Sequence, residues 1–186
     1  MDTLVSTASP SVPATLRKLY FVRFAFAVVW AGLLFATAGT LGPVGVTLLV
    51  VYPLFDVAAA IVDVRSAKVN GAKAPVLYVN IVISSLAVIG LVVAVASGVP
   101  DVLRVWGAWA VASGIVQLVA GAVRRTLGGQ WPMIISGAVS VLAGTSFVTQ
   151  AGSDDPTLTN LAGYAFLGGV FFLVSALRLD RARSGE

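Results

Sequence analysis

One carboxylate in this sequence stands where an isolated charge is costly. Asp56 lies three residues after Pro53 in an apolar stretch, and no other charged residue separates it from Arg23. A charge near the middle of a membrane span costs about 2.5–3.5 kcal/mol on insertion scales, so it needs a partner or a proton. A carboxylate can pair with an arginine, accept hydrogen bonds or carry a proton. We therefore take Asp56 as the centre of any chemistry in this chain.

Four further polar side chains fall near the depth of Asp56 when positions are counted along the apolar spans. At about 1.5 Å per residue, Asp56 lies about seven residues from its end of the membrane and Gln117 about six. Asn80 lies about five residues in and Arg23 about four, and Ser136 falls at the same level. The sequence therefore predicts one polar layer in the cytoplasmic half of the membrane, and we assign it as a candidate binding site.

Two interpretations of this layer remain open. In the first, Arg23 and Asp56 form a structural ion pair, and Asn80 and Gln117 satisfy the remaining hydrogen-bonding sites. In the second, the layer forms the floor of a cavity that opens to the cytoplasm and binds a polar group or relays a proton. Pro53 removes a backbone donor and could bend its helix toward such a cavity.

The sequence contains no histidine and no cysteine, which limits its chemistry. Zinc, haem and copper sites depend on those residues, so we predict no metal and no cofactor. A protonated Asp56 could act as a general acid in an intramembrane enzyme, but no second carboxylate lies at its depth. We assign no catalytic residue and favour a non-enzymatic protein. The alternative is a lipid-binding or small-molecule transporter, or an intramembrane enzyme, with its site centred on Asp56.

Membrane-spanning helices must position this layer. The chain has 186 residues, of which 58% are hydrophobic and 11% charged, whereas soluble domains carry about 25% charged residues. An apolar run of about 20 residues crosses the hydrocarbon core as a helix. The predicted fold is an all-α polytopic membrane protein. It has a disordered tail at 1–18, a second tail at 179–186 and six spans, at about 19–38, 43–62, 75–97, 101–123, 131–150 and 157–177.

The basic residues predict the orientation of these spans. Of the twelve lysine and arginine residues, only Arg104 falls on the side of the membrane opposite to the termini. Short loops that carry lysine and arginine stay in the cytoplasm, so both termini are predicted to be cytoplasmic and the protein to lie in the cell membrane. The net charge of +4 is therefore a topology signal, and no nucleic-acid partner is predicted.

The spans resemble three copies of one helical hairpin, at 19–62, 75–123 and 131–177. A proline opens each even-numbered span (Pro43, Pro100 and Pro156), as is favoured in the first turn of a helix. Small residues at four-residue spacing predict tight helix packing in three spans. They are Gly32, Ala36 and Thr40; Ala110 and Gly114; and Ser136, Ser140 and Gly144. Trp106 and Trp109 are predicted to belong to an aromatic belt at the outer interface.

Two segments carry a resemblance to a known family. The stretch 106–118, which begins Trp-Gly-Ala-Trp, and the stretch 135–144 resemble the HdeD family of bacterial acid-resistance membrane proteins. The resemblance covers about residues 19–178. It implies a six-helix protein of the bacterial inner membrane that contributes to envelope or acid-stress tolerance, and it supplies no catalytic residues. The partners expected are the lipid bilayer and a lipid or small apolar ligand, with a homo-oligomer left open.

Overall fold

The computed structural model describes residues 12–69, 75–123 and 131–184, and these residues form six α-helices joined by turns and short irregular segments. Each helix is long and apolar enough to cross a membrane, which confirms the predicted fold class of a six-helix membrane protein. The helices are α1 (Val12–Thr37), α2 (Pro43–Val69), α3 (Pro75–Ala94), α4 (Val99–Val123), α5 (Trp131–Gln150) and α6 (Thr159–Ser184).

The first and last helices extend beyond the predicted spans. Helix α1 begins at Val12 and α6 ends at Ser184, so parts of both predicted tails are helical. Hydropathy marks only the part of a helix that lies in hydrocarbon, and nothing in residues 12–18 or 178–184 stops a helix from continuing into the interface. Pro13 occupies the first turn of α1, where a proline is tolerated. Residues 1–11 and 185–186 lie outside the described part of the chain.

The six helices form a closed ring in chain order. Each helix packs against the helices before and after it in the sequence, and α6 packs against α1. The most extensive contacts are α4 with α5 and α1 with α6, which join different predicted hairpins. Because short connections link successive spans, α1, α3 and α5 begin at the membrane face where α2, α4 and α6 end. We call this the basic face, since Arg17, Lys18, Arg65, Lys68 and Arg178 lie there.

Two of the three helix-opening prolines lie where the repeat predicts. Pro43 is the first residue of α2 and Pro100 is the second residue of α4. The prediction is wrong for Pro156, which precedes the first residue of α6 by three positions. There the hydroxyl oxygen of Thr157 accepts a hydrogen bond from the backbone N–H of Thr159 at 3.3 Å. A threonine cap therefore begins α6, and the threefold repeat stays a prediction.

Glycines bring the backbones of α4 and α5 together. A Cβ atom built on Gly144 would lie 2.6 Å from the carbonyl oxygen of Gly107, and one built on Gly114 would lie 2.7 Å from that of Gly137. These distances are too short for any larger residue, so the two helices touch through backbone atoms at two levels. This contact confirms the predicted packing role of Gly114 and Gly144.

The small residues of the first predicted span, Gly32 and Ala36 on α1 and Thr40 just after it, do not pack as predicted. Gly32, Ala36 and Thr40 are exposed, and a Cβ atom built on Gly32 would have nothing within 4 Å. Helix α1 instead buries the opposite face, which carries Ala27, Trp30, Ala31 and Leu34. These four residues follow the spacing of a single helix face. Trp30 and Leu34 pack inside the ring together with the two alanines, and the small residues Gly32 and Ala36 are left on the lipid side.

Candidate functional site

Asp56 is the hub of a hydrogen-bonded cluster that joins three helices. Its Oδ1 atom forms an ion pair with the guanidinium of Arg23 on α1. Its Oδ2 atom accepts hydrogen bonds from Asn80 Nδ2 at 2.7 Å and from Ser84 Oγ at 2.9 Å, both on α3. Both carboxylate oxygens are therefore occupied. The structure thus brings together the predicted residues Arg23, Asp56 and Asn80.

Ser84 takes the position beside Asp56 that the sequence assigns to Gln117. It lies four residues after Asn80, so both side chains lie on one face of α3 and reach the same oxygen of Asp56. Ser84 is fully buried and also accepts a hydrogen bond from the indole N–H of Trp109 at 3.1 Å. The network therefore extends from α1 to α4. The spacing from Asn80 was the only signal in the sequence for Ser84.

Arg23 makes a second contact that the sequence did not reveal. Its guanidinium carbon lies 4.8 Å from the centre of the Phe172 ring on α6. A cation over an aromatic face is attracted by the negative face of the ring. Arg23 thus binds α2 through Asp56 and α6 through Phe172, and its side chain is 14% exposed. This arrangement fixes the charge at the inner surface of the helix ring.

A central cavity of about 460 Å³ occupies the middle of the ring, and all six helices contribute to its wall. Residues near the helix ends at the basic face line its outer part, among them Tyr20, Asp63 and Met133. Residues from the middle of the helices, including Tyr52 and Tyr164, line its inner part. The cavity therefore runs from the basic face to about mid-membrane. Its volume is in the range of small-molecule sites, about 300–1,000 Å³.

All five residues of the predicted polar layer line this cavity: Arg23, Asp56, Asn80, Gln117 and Ser136. Gln117 lies in the wall with a buried side-chain oxygen that has no hydrogen-bond partner among the described residues. Ser113, one turn earlier on α4, also lines the cavity, and its hydroxyl oxygen likewise has no partner there. Ser113 is 8% exposed. The wall thus contains one cluster, around Asp56, whose polar groups are hydrogen-bonded, and one pair, Ser113 and Gln117, whose side-chain oxygens have no partner among the described residues.

Aromatic side chains close the inner end of the cavity. Trp30, Tyr52, Trp106 and Trp109 contact one another with ring centroids 4.6–6.0 Å apart. The indole N–H of Trp30 donates to the carbonyl of Leu48 at 2.6 Å, next to the carbonyl that Pro53 deprives of its helical donor. The predicted interfacial role of Trp106 and Trp109 is wrong, since they are 0% and 8% exposed. Each ring packs on neighbouring aromatic rings in the core of the bundle.

The site shows no arrangement suited to a metal. Within residues 12–69, 75–123 and 131–184, no three histidine, cysteine or acidic side chains lie close enough to hold a metal ion. The groups that line the cavity are hydroxyls, amides, aromatic rings, aliphatic side chains, one ion pair and, near the opening, Asp63. These groups suit the binding of an organic molecule through hydrogen bonds and apolar contacts.

The fold and the cavity define the class of this protein: it is a multi-pass integral membrane protein with an internal cavity whose wall carries both polar and apolar side chains. Comparison of the chain with protein-family models, with curated proteins and with solved structures gives no match. The function must therefore be inferred from the chemistry of the cavity.

Proposed function

We propose that this membrane protein binds a small amphipathic molecule in the central cavity. The observation that carries the proposal is a pair of buried, unpartnered oxygens on Ser113 and Gln117, two residues that line the cavity. A buried polar atom without a partner costs about 1–3 kcal/mol. A protein designed only for stability would place apolar residues at these two positions. A bound molecule that hydrogen-bonds to them removes this cost.

The satisfied cluster around Asp56 supports a separate, structural role for the ion pair. Three donors already contact the two oxygens of Asp56, so both carboxylate oxygens have partners within the protein. Arg23 and Asp56 stabilise the junction of α1, α2 and α3, and they form one wall of the cavity. The binding groups are then the neutral side chains of α4, with Ser136 of α5 in the same cavity.

The test uses the protein purified from its own membrane and analysed by native mass spectrometry. We expect a molecule to copurify with the wild-type protein and to be lost from Gln117→Leu and Ser113→Ala. The matched control is Gln150→Leu. Gln150 also has a buried oxygen without a partner in the described part of the chain, but it does not line the cavity. Loss of the molecule from this control as well, or its retention in all three variants, refutes the proposed site.

Stability distinguishes a binding role from a structural one. Replacing an unpartnered amide by leucine removes an unsatisfied group, so Gln117→Leu should keep or raise the melting temperature of the empty protein. Sites of function often reduce stability in this way. A fall in melting temperature would show that Gln117 has a structural partner, and the observation that carries the proposal would then fail.

We further propose that the cellular role is that of an HdeD-type protein of a bacterial inner membrane, with both termini in the cytoplasm and a contribution to envelope or acid-stress tolerance. The segments that carry the resemblance, 106–118 and 135–144, contain the four glycines of the α4–α5 contact. This shared packing element supports the proposal. Survival of a deletion strain at low pH, with the wild-type gene and the Gln117→Leu gene returned separately, tests it. Equal survival of the deletion and parent strains contradicts it.

A further inference from the structure

The two charges of the central cluster in the cavity compensate each other. Arg23 and Asp56 neutralise each other, and Asn80 and Ser84 donate hydrogen bonds to the carboxylate. Asp63, near the opening, also has an interaction partner. A ligand with a net charge therefore finds no unpaired counter-charge at the Arg23–Asp56 pair.

A charged ligand would also disturb the pair. An anion would compete with Asp56 for Arg23, and a cation would compete with Arg23 for Asp56. Either competition leaves one charge of the pair without its partner at membrane depth, where ionised groups are costly. Breaking a buried pair by removing one partner is strongly destabilising. The geometry therefore disfavours both signs of ligand charge.

The groups that lack partners are neutral. Ser113 and Gln117 are four residues apart on α4, so their side chains lie on one helix face. A serine hydroxyl can donate or accept a hydrogen bond, and the amide oxygen of Gln117 accepts one. A ligand hydroxyl or amide offers a donor and an acceptor in one uncharged group. Such a group matches this pair.

The remaining wall is suited to an apolar tail. Ala60, Ala110, Val116 and Val139 line the cavity together with Phe171. These side chains offer no hydrogen bonds, and burial of apolar surface against them is favourable at about 25 cal/mol per Å². A small polyol would leave this part of the wall without contacts. An amphiphile would hydrogen-bond to Ser113 and Gln117 and would also bury its apolar tail against the apolar side chains of the wall.

We infer that the ligand is an uncharged amphiphile whose hydroxyl or amide head hydrogen-bonds to Ser113 and Gln117 while its apolar tail lies along the cavity wall. This inference rests on the proposed binding function and names its ligand class. The bound molecule leaves the Arg23–Asp56 pair intact. Selectivity against charged lipids then follows from the mutual neutralisation of Arg23 and Asp56.

The test compares three probes that share one lauryl chain and differ in the charge of the head. Monolauroylglycerol is uncharged, laurate is anionic and dodecyltrimethylammonium is cationic. Each is added to the wild-type protein, to Gln117→Leu and to Ser113→Ala in lipid nanodiscs, and thermal unfolding is measured. A ligand that binds only the folded state raises the melting temperature. The difference between wild type and variants removes any effect of the probe on the lipid itself.

We expect monolauroylglycerol to raise the melting temperature of the wild type and to have a much smaller effect on both variants. The two charged probes should give the same response in all three proteins. A larger variant-dependent rise with a charged probe overturns the inference but leaves the proposed binding function intact. Free glycerol, which has no lauryl chain, is measured as a fourth probe; a rise with glycerol equal to that with monolauroylglycerol shows a soluble polyol ligand and overturns the amphiphile. If no probe raises the melting temperature but a molecule copurifies with the wild type, the inferred ligand class is wrong and the proposed binding function stands. If no molecule copurifies either, the proposed binding function is wrong as well.

Discussion

Replacing Asp56 by asparagine should destabilise the protein more than its small change in volume suggests. In the structure three donors converge on the two oxygens of Asp56, from Arg23, Asn80 and Ser84. Asparagine has only one acceptor oxygen. Whichever way its amide turns, its NH₂ group faces a former donor, and Arg23 loses its counter-charge.

The magnitude follows from the burial of the pair. Removing one partner of a buried ion pair costs about 3–5 kcal/mol. The side chains of Arg23 and Asp56 are 14% and 21% exposed, and Arg23 can extend along the cavity toward the basic face. We therefore expect a loss near the lower end, about 3 kcal/mol. For a chain of this length that corresponds to a melting temperature lower by about 6–12 °C.

The chain contains a matched control for this substitution. Asp101 pairs with Arg104, but these side chains are 41% and 55% exposed. Exposed pairs contribute at most about 1 kcal/mol, so Asp101→Asn should change the melting temperature little. Thermal unfolding of both variants in one detergent measures the difference. Similar shifts for the two variants, or no shift for Asp56→Asn, would refute the argument that a buried hub holds α1, α2 and α3 together.

The double variant Arg23→Leu with Asp56→Leu separates the charge from the hydrogen bonds. It removes both charges, so it should be more stable than Asp56→Asn. Recovery should stay incomplete, because Asn80 and Ser84 lose the oxygen to which they donate. Unfolding measurements in which the double variant is less stable than Asp56→Asn would contradict this division.

Three further predictions test the rest of the fold. Gly144→Ala should lower the free energy of unfolding by about 1–3 kcal/mol, because its Cβ would lie 2.6 Å from a carbonyl oxygen of α4. Gly32→Ala is the control and should cost nothing, because its Cβ would have nothing within 4 Å. Equal losses of stability in thermal unfolding would contradict the close contact. Trp30→Phe should cost about 1 kcal/mol by removing the indole bond to the carbonyl of Leu48, and an unchanged melting temperature would show that this bond contributes nothing. A reporter fused after Glu186 should be active only in its cytoplasmic form; external activity would reverse the proposed orientation.

The spans and the central ion pair could be predicted because their signals are local. A run of about 20 apolar residues has few alternatives to a membrane helix. Asp56 and Arg23 are costly at their depth, so a count of residues along each span was enough to pair them. Asn80 followed from the same count. These predictions needed no knowledge of which helix faces meet.

The remaining contacts depend on which face of each helix turns inward. In a membrane the lipid side is as apolar as the interior, so the pattern of hydrophobic residues does not mark the buried face. The stripe at Gly32 was therefore assigned to packing although it faces outward, and Trp106 was assigned to the interface although it is buried. The hydrogen bond from Ser84 to Asp56 was not predicted, because a serine is tolerated anywhere in a span.

The most direct test of the central claim is the reactivity of introduced cysteines in membranes. The native sequence has no cysteine, so each variant carries a single thiol. Ser136 lines the cavity, and its neighbour Ile135 is 48% exposed on the outer side of the same helix. We expect N-ethylmaleimide to label Ser136→Cys many times faster than Ile135→Cys, because thiolates form in a wet cavity and not in lipid. Equal rates at the two positions would contradict a water-accessible cavity within the helix ring.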